Sequence, residues 1–362
     1  MKEQKVIISH DLQAELREAI DEVGPDRLFV LTDEKTREAC WPVISDFGCI
    51  RGCGADGHLL PRGEACVMSI GVSDEAKNLD SLASVWKTLS QGGATRHSML
   101  VNLGGGMVTD LGGFAASTFK RGIAYVNIPT TLLAMVDASV GGKTGINFLG
   151  LKNEIGVFNP ARAVVLDTQF LRTLDTQNVR SGYAEMLKHG LISEESNLAE
   201  LLRFDLDRPD YDQLKELVAK SVAIKEHIVA EDPYEKGIRK ALNLGHTVGH
   251  AFESLALAEG RPVLHGYAVA WGLVCELYLS VVRCGFPTTW LRQVSRFIFE
   301  TYGRFAFDCR VYDRLYELMT HDKKNVAGVI NFTLLGAVGD IHINQSASKE
   351  EILEMLDFYR EG

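Results

Sequence analysis

The stretch Leu100-Val101-Asn102-Leu103-Gly104-Gly105-Gly106-Met107-Val108-Thr109-Asp110 decides the fold class, because a mostly apolar run leads directly into three glycines. Apolar runs that are continuous rather than alternating are typical of strands buried on both faces of a parallel sheet. The runs at 28–32, 125–128 and 163–166 repeat this pattern, and helical patterns lie between some of them. The first half of the chain therefore predicts a largely parallel α/β sheet.

The second half of the chain has a different pattern of apolar residues. Beyond about residue 175, apolar or small residues recur at helical spacing, as at Leu214, Leu217, Val218 and Ser221. A chain of 362 residues also exceeds the size at which one hydrophobic core stops growing. We expect two domains, an α/β domain over 1–175 and a mostly α-helical domain over 176–362.

Bulk composition excludes several classes of function. The net charge is -10, and no basic run is interleaved with aromatic residues, so nucleic acid is not an expected partner. No apolar run approaches the roughly 20 residues that span a bilayer, and no secretory signal is recognisable, so we expect a cytoplasmic protein that contacts no membrane. Seven cysteines without a CxxC pair are interpreted as reduced thiols. An acidic protein that binds an anionic metabolite must gather its cations in one pocket.

The glycines after residue 103 suit a phosphate. Glycines let backbone N–H groups approach a pyrophosphate, and a helix that starts behind them adds a favourable dipole. The dinucleotide fingerprint is incomplete, because Thr109 stands where its third glycine belongs. From these residues alone, nucleotide binding and a plain tight turn remain equally open.

Two further segments offer phosphate-binding groups. Thr130 and Thr131 follow a strand candidate and could cap a helix that begins near Leu132. Residues 137–145 resemble a P-loop superficially but lack the GxxxxGK(S/T) spacing, which argues against an ATPase. Lys143, with the pair 152–153 just beyond, offers cations and an amide suited to phosphate, although a solvated loop is the alternative.

The strongest chemical pattern lies at 239–253. If this segment is helical, its polar residues follow steps of four and three and form one stripe: Arg239, Asn243, His246, His250 and Glu253. Two histidines four residues apart can present their rings to one metal ion or anion, whereas a satisfied structural network is the alternative. The segment is not a metalloprotease motif, because Thr247 occupies the place of the glutamate in HExxH.

Other polar residues could complete a metal site. Glu185 and Lys188 lie on one face of a predicted helix, and His265 precedes a glycine. Each is a weak signal alone, because such residues are often a solvated pair or a helix cap. Lys225 continues the apolar stripe from Leu214 and so needs an internal partner. Residues 322–325 look like a surface charge run.

Together these motifs resemble the 3-dehydroquinate synthase family, in order from about Asp33 to Asn325. The matching segments are LGGGMVTDLGGF, FKRGIAYVNIPTTLLAMVDASVGGKTGIN, LKNEIGVF, RSGYAEMLKHG, LNLGHTVGHAFE, HGYAVAWG and HDKKN. The resemblance implies an N-terminal Rossmann-like NAD-binding domain, a mostly α-helical C-terminal domain that binds metal and substrate, and a homodimer.

The resemblance also implies a role for each matching residue. The expected ligands of Zn²⁺, or of Co²⁺ in its place, are Glu185, His246 and His265. The expected NAD site comprises Asp33, Asp74, Lys77, Gly105, Gly106, Asp110, Thr130, Thr131, Lys152 and Thr173. The expected catalytic groups around the substrate are Asp137, Lys188, Lys225, Glu235, Asn243 and His250. The substrate phosphate is expected to contact Lys143, Asn153 and Arg121, with Arg121 supplied by a partner subunit. A substrate carboxylate is expected to contact Arg239 together with Lys323 or Lys324.

Three positions depart from the family pattern. The segment 73–77 reads Ser-Asp-Glu-Ala-Lys, so either Asp74 or Glu75 could contact the cofactor; Thr109 and Tyr267 are the other two departures.

The resemblance implies conversion of 3-deoxy-D-arabino-heptulosonate 7-phosphate to 3-dehydroquinate and phosphate, in the shikimate pathway, with NAD used catalytically. The alternatives are a cyclase acting on sedoheptulose 7-phosphate and a metal-dependent polyol dehydrogenase.

Overall fold

The computed structural model describes residues 4–52, 64–149, 151–320 and 330–362. These separate into two units, Met1–Asp175 and Thr176–Gly362. We call them the N-terminal and C-terminal units.

A seven-stranded parallel sheet forms the centre of the N-terminal unit. Its strands are β1 Lys5–Ile8, β2 Leu28–Asp33, β3 Arg51–Gly52, β4 Glu64–Ile70, β5 Met99–Gly104, β6 Ala124–Pro129 and β9 Ala163–Leu166. They lie in the order β1-β9-β6-β5-β2-β4-β3 across the sheet. Every residue of β2, β5 and β9 is buried, as expected for strands covered on both faces. The predicted parallel α/β sheet is confirmed.

Within the described residues, five α-helices and a hairpin accompany the sheet of the N-terminal unit. The helices are α1 Leu12–Asp21, α2 Glu34–Ala39, α3 Trp41–Ile44, α4 Leu79–Gln91 and α5 Gly106–Thr118. Between β6 and β9 the chain forms a π-helical turn, Ala134–Ala138, and an antiparallel hairpin of β7 Lys143–Phe148 and β8 Leu151–Phe158. Ala134 N donates to Thr131 Oγ1, so the cap expected from this threonine is present.

The C-terminal unit is mostly helical, as predicted. Its helices are α6 Thr176–Leu191, α7 Glu195–Leu201, α8 Tyr211–Glu231, α9 His246–Ala258, α10 His265–Cys284, α11 Thr288–Tyr302, α12 Tyr312–Thr320 and α13 Lys349–Glu361. A hairpin of β10 Phe332–Ala337 and β11 Asp340–Gln345 packs on α10. Helix α10 also packs against α6, α9, α11 and α13, so it is the central helix of this unit.

The length and apolar composition of α10 would allow it to cross a membrane, although no apolar run of that length was expected from the sequence. Because 67% of its apolar window is buried inside the protein, packing in the core accounts for this composition.

Candidate metal centre and cofactor site

Helix α6 places a carboxylate in the core of the C-terminal unit. The side chain of Glu185 is fully buried, and Lys188 one turn later is almost as inaccessible. The Lys188 ammonium donates to Glu185 Oε2, so Glu185 Oε1 is the oxygen that remains for other partners. A buried charge needs such a partner, because an isolated carboxylate in the core costs several kcal/mol.

Two histidines from other helices approach Glu185 Oε1. His246 is the first residue of α9 and its Nε2 lies 3.4 Å from this oxygen; His265 is the first residue of α10 and its Nε2 lies 3.7 Å away. All three expected metal ligands therefore lie in one cluster, with their ligand atoms within 4.8 Å of one another.

Hydrogen bonds to the other ring nitrogens orient both histidines. His246 Nδ1 lies 3.1 Å from the Leu244 carbonyl oxygen, and His265 Nδ1 lies 3.3 Å from Glu253 Oε2. A carbonyl and an ionised carboxylate can only accept, so each Nδ1 carries a proton and each Nε2 can offer a lone pair. This arrangement is typical of metal-binding histidines, and it gives Glu253 a role that the sequence did not predict.

The cluster fits a divalent metal ion. Glu185 Oε1 is buried and makes no hydrogen bond within the described residues. Zinc–ligand bonds of about 2.0–2.1 Å in a tetrahedron place neighbouring ligand atoms about 3.4 Å apart, close to the 3.4 and 3.7 Å found here. One carboxylate and two imidazoles are also a known zinc-ligand set, and three protein ligands leave positions open for a substrate.

The electrostatics of the cluster also favour a cation. Burial raises the pKa of Glu185, but Lys188, His246 and His265 outweigh burial and hold the pKa well below its usual range. Burial lowers the pKa of His265, but the nearby carboxylates of Glu185 and Glu253 outweigh that effect and raise the pKa to about 10. A proton on His265 therefore supplies the positive charge beside Glu185 that a metal ion would otherwise supply. Binding of a metal ion would release this proton.

The polar stripe predicted at 239–253 is not one continuous helix. Residues Ile238–Asn243 form a 3₁₀-helix, and α9 begins only after Gly245, whose φ is +80°. Leu244, which ends the 3₁₀-helix at ψ 129°, and the left-handed Gly245 separate the two segments, so Arg239 and Asn243 are not on α9.

The remaining residues expected around the substrate lie in or near these segments. The almost fully buried Arg239 donates from Nη1 to the Pro233 carbonyl, 2.6 Å away. Asn243 Nδ2 donates to Glu235 Oε1 at 2.7 Å, and Lys225 is buried on α8. The ring of His250 lies 5.4 Å from that of His246 and 5.9 Å from that of His265, between ring centroids. Lys323 and Lys324 lie outside the described residues.

Tyr267, which departs from the family pattern, packs in an aromatic group. Its ring makes edge contacts with Trp271 and Tyr302, at centroid distances of 6.0 and 5.1 Å. The substitution therefore adds packing to the start of α10 two residues beyond His265.

In the N-terminal unit, the glycine turn between β5 and α5 lies beside the end of β6. Gly104 pairs with Pro129 in the sheet, and its carbonyl accepts from Thr130 N at 3.0 Å. A Cβ on Gly105 would lie 3.0 Å from Thr131 Cγ2, so a side chain here would have to displace Thr131. The structure thus brings together four expected cofactor residues: Gly105, Gly106, Thr130 and Thr131.

A second polar group forms around Lys77. Its side chain is almost fully buried, and its ammonium donates to Asp110 Oδ2 on α5 and to Asn153 Oδ1 on β8. Nearby in sequence, Lys152 Nζ lies 3.2 Å from Asp74 Oδ2, but both side chains are about half exposed. The sequence did not indicate these pairings, because they depend on how the β7–β8 hairpin folds back.

The other expected residues of this unit lie at element ends and in turns. Asp33 accepts from Thr36 N at 2.8 Å as part of a capping box at the start of α2. Thr173 donates to the Phe170 carbonyl at 2.7 Å, Asp137 lies in the π-helical turn, and Lys143 is exposed at the start of β7. Arg121 is exposed and has φ +68°.

A parallel sheet with a glycine turn, followed by a helical unit with a Glu–His–His cluster, defines a class of two-unit proteins equipped for a nucleotide and a metal ion. Family models described as the N-terminal and C-terminal domains of 3-dehydroquinate synthase match residues 67–181 and 182–325. The chain belongs to the 3-dehydroquinate synthase family.

Named relatives of the chain belong to the same family. The chain is 56% identical to the 3-dehydroquinate synthase of Parabacteroides distasonis, over 100% of this chain and 99% of that protein. It is 38% identical to the 3-dehydroquinate synthase of Oceanobacillus iheyensis, over 83% of this chain and 84% of that protein.

Solved structures share the fold. 2-epi-5-epi-valiolone synthase from Streptomyces hygroscopicus subsp. jinggangensis, with NAD⁺ and Zn²⁺ bound, has a TM-score of 0.82 at 24% identity and covers 100% of this chain and 98% of that one. 2-deoxy-scyllo-inosose synthase, complexed with carbaglucose-6-phosphate, NAD⁺ and Co²⁺, has a TM-score of 0.81 at 23% identity, over 99% of this chain and 96% of that one. Both similarities confirm a Rossmann-like unit followed by a helical unit.

Proposed function

We propose that this protein is a 3-dehydroquinate synthase, a lyase that converts 3-deoxy-D-arabino-heptulosonate 7-phosphate to 3-dehydroquinate and phosphate. Family membership supports the reaction, and the buried cluster of Glu185, His246 and His265 is the observation that supports it in the structure. We infer that it acts in the cytoplasm, where free thiols such as those of Cys40 and Cys275 stay reduced.

The two units would hold different cofactors. The glycine turn, Thr130, Thr131 and the Lys77–Asp110 pair are the groups proposed to hold NAD, and the cluster on α6, α9 and α10 is proposed to hold Zn²⁺ or Co²⁺. When bound, NAD would take up and return a hydride at C5 of the substrate, and the metal ion would lower the pKa of the C5 hydroxyl.

The protein's own residues would mainly orient the substrate and neutralise its charge. Oxidation at C5 makes the C6 hydrogen acidic, so phosphate leaves by elimination; after re-reduction the ring opens and an intramolecular aldol step closes the carbocycle. Lys188 and Lys225 are buried cations, and the Asn243–Glu235 pair offers donors and acceptors for hydroxyls. His250, with its ring beside the metal ligands, is proposed to bind the phosphate.

Arg239 is proposed to select a substrate that has a carboxylate. A guanidinium can form a two-pronged pair with a carboxylate, and Lys323 or Lys324 would add a second cation. A cyclase for sedoheptulose 7-phosphate, whose substrate lacks this anion, has no need of these charges.

We also propose a homodimer, formed in part through the β7–β8 hairpin. Every residue of β8 is exposed, and Leu149 at the turn is 85% exposed. Apolar side chains line this hairpin, including Phe148, Leu151 and Phe158. An apolar surface of this kind is typical of protein interfaces. Arg121 is exposed, as a side chain that reaches a partner subunit must be, and its φ of +68° is a strained conformation of the kind found at functional sites.

The proposal is tested by incubating the purified protein with the heptulosonate phosphate, NAD⁺ and Zn²⁺ or Co²⁺, while recording phosphate release and absorbance of NADH. We expect phosphate to appear while NADH stays flat, since the hydride is returned within each turnover. Accumulation of NADH would favour the polyol dehydrogenase, and faster turnover of sedoheptulose 7-phosphate would favour the alternative cyclase.

A pair of histidine variants tests the metal cluster in the same assay. His246→Ala should lose the metal ion and lower kcat/KM by more than about a hundredfold, because a metal ion supplies several kcal/mol of transition-state stabilisation. His227→Ala removes an exposed histidine of α8 and should leave both quantities unchanged. Full activity of His246→Ala in a metal-free preparation would refute the assignment.

A further inference from the structure

The first turn of α9 has no side-chain cap of its own. Gly245 occupies the N-cap position, with φ +80°. A Cβ there would lie 2.8 Å from side-chain atoms of Leu273 and 3.1 Å from its backbone nitrogen. No residue with a side chain therefore fits the N-cap, although the first N–H groups of a helix need acceptors.

A carboxylate from α10 supplies the missing acceptors. Glu276 is fully buried, and its Oε2 accepts from Gly245 N at 2.6 Å while its Oε1 accepts from Val248 N at 3.1 Å. These are the N-cap and N3 positions of α9, the two N–H groups that a capping box satisfies within one helix. Glu276 thus caps α9 from a neighbouring helix, and its negative charge complements the helix dipole.

The residue held inside this cap is a metal ligand. His246 directly follows Gly245 and precedes Val248 by two positions, so one carboxylate fixes the backbone on both sides of it. Two further contacts support this turn: His246 Nδ1 bonds to the Leu244 carbonyl, and Thr247 Oγ1 donates to the carbonyl of Asn331, which is distant in sequence.

Close packing of α9 and α10 makes the cap possible. A Cβ on Gly272, one turn before Glu276, would lie 2.0 Å from the Gly245 carbonyl oxygen. Because this glycine has no side chain, the two helices approach closely enough for a side chain as short as glutamate to reach the start of α9. Ser280 also links α10 to β10, because its hydroxyl donates to the Glu276 carbonyl at 2.7 Å and accepts from Leu335 N.

We propose that Glu276 is a positioning residue for His246, so that loss of its carboxylate weakens metal binding although no metal ligand is removed. The proposal rests on the metal site proposed above. Glutamine in its place keeps one acceptor oxygen but loses the charge, and its NH₂ group faces an N–H donor. The turn that carries His246 then loses one of the two hydrogen bonds by which residue 276 holds it.

The test is a titration of the metal-free, full-length protein with Zn²⁺ and with Co²⁺, in competition with a chromophoric chelator and well below the melting temperature. We expect Glu276→Gln to bind both ions about 10- to 100-fold more weakly than the wild type, as for other residues that orient ligands. The visible spectrum of the Co²⁺ form should change as well. Glu276→Asp, which keeps the charge but shortens the reach, should weaken binding less.

Ser348→Ala is the matched control. Ser348 and Glu351 form a capping box at the start of α13, in the same unit as the metal ligands. Its loss should lower the melting temperature by about 2–4 °C and leave the metal dissociation constant unchanged. If Glu276→Gln only lowers the melting temperature, with the wild-type dissociation constant and Co²⁺ spectrum, the positioning role is refuted; if that variant does not fold, Glu276→Asp binding both ions as tightly as the wild type refutes it. If the wild type itself takes up neither ion, the proposed metal site fails first.

Discussion

Gly266→Ala should separate two helices that carry proposed metal ligands. Gly266 follows His265 at the start of α10, and its N–H donates to Ser181 Oγ on α6 at 3.1 Å. A Cβ on Gly266 would lie 1.8 Å from the Ser181 carbonyl oxygen, and Ser181 is one turn before Glu185. Ordinary contacts of a Cβ begin at 3.4 Å, so the helices must move apart by about 1.6 Å.

That displacement is large compared with a zinc–ligand bond of about 2.0–2.1 Å. Because the clash is with backbone and not with a flexible side chain, we expect the upper end of the usual overpacking cost, about 3 kcal/mol. For a unit of 150–250 residues this lowers the melting temperature by about 6–12 °C. Metal affinity should fall as well, because His265 and Glu185 lie on the two helices that separate.

Thermal unfolding with and without added Zn²⁺, together with metal analysis of the purified protein, measures both effects. The control is Gly260→Ala, at φ +70° with no atom within 4 Å of the added Cβ. It should cost about 1–2 kcal/mol through backbone strain while metal content stays at the wild-type level. Wild-type melting temperature and metal content in Gly266→Ala would refute the argument from close packing.

Three further variants test single contacts. Glu253→Gln should weaken Zn²⁺ binding about 10- to 100-fold, because His265 loses the carboxylate that orients its ring; an unchanged dissociation constant in a chelator competition would contradict this. Lys77→Met should leave Asp110 without its buried cation and cost about 1.5–3 kcal/mol in NAD⁺ affinity, measured by calorimetry; wild-type affinity would remove Lys77 from the cofactor site. Arg239→Ala should lower kcat/KM about tenfold to over a hundredfold for the heptulosonate phosphate with metal content unchanged, and normal turnover would exclude the carboxylate role.

The parts of the fold that follow from local sequence were predicted, and those that depend on distant partners were not. Continuous apolar runs identified β2, β5, β6 and β9, because a strand buried on both faces needs apolar residues throughout. Strand β8 was missed, because all eight of its residues are exposed and include Lys152, Asn153 and Glu154. Such a strand has no buried face to impose a pattern, and antiparallel pairing with β7 holds it in place.

The candidate site divides in the same way. The resemblance to the family predicted all three residues of the Glu–His–His cluster, and the structure brings them together. The support of His265 by Glu253 could not be read from the stripe, because it depends on where α10 starts relative to α9. The sequence did contain one unused signal, since Glu276 is the single charged residue between His265 and Arg283 on an otherwise apolar helix. A buried charge requires partners, but nothing local shows that these are the N–H groups of residues 245 and 248.

The motif at 242–253 contains two interleaved series, each with a step of four residues. Gly245 and Gly249 form one series, and both contact α10: a Cβ on Gly249 would lie 2.9 Å from the Ala268 carbonyl oxygen. His246 and His250, one position later, form the other series, and their rings lie beside His265. Residues one position apart lie about 100° apart around a helix, so a glycine face against α10 places the histidine face towards the start of α10. The glycines that allow close packing and the histidines that face the start of α10 therefore share one helical spacing, and a substitution at Gly249 or at the proposed metal ligand His246 should disturb the metal site.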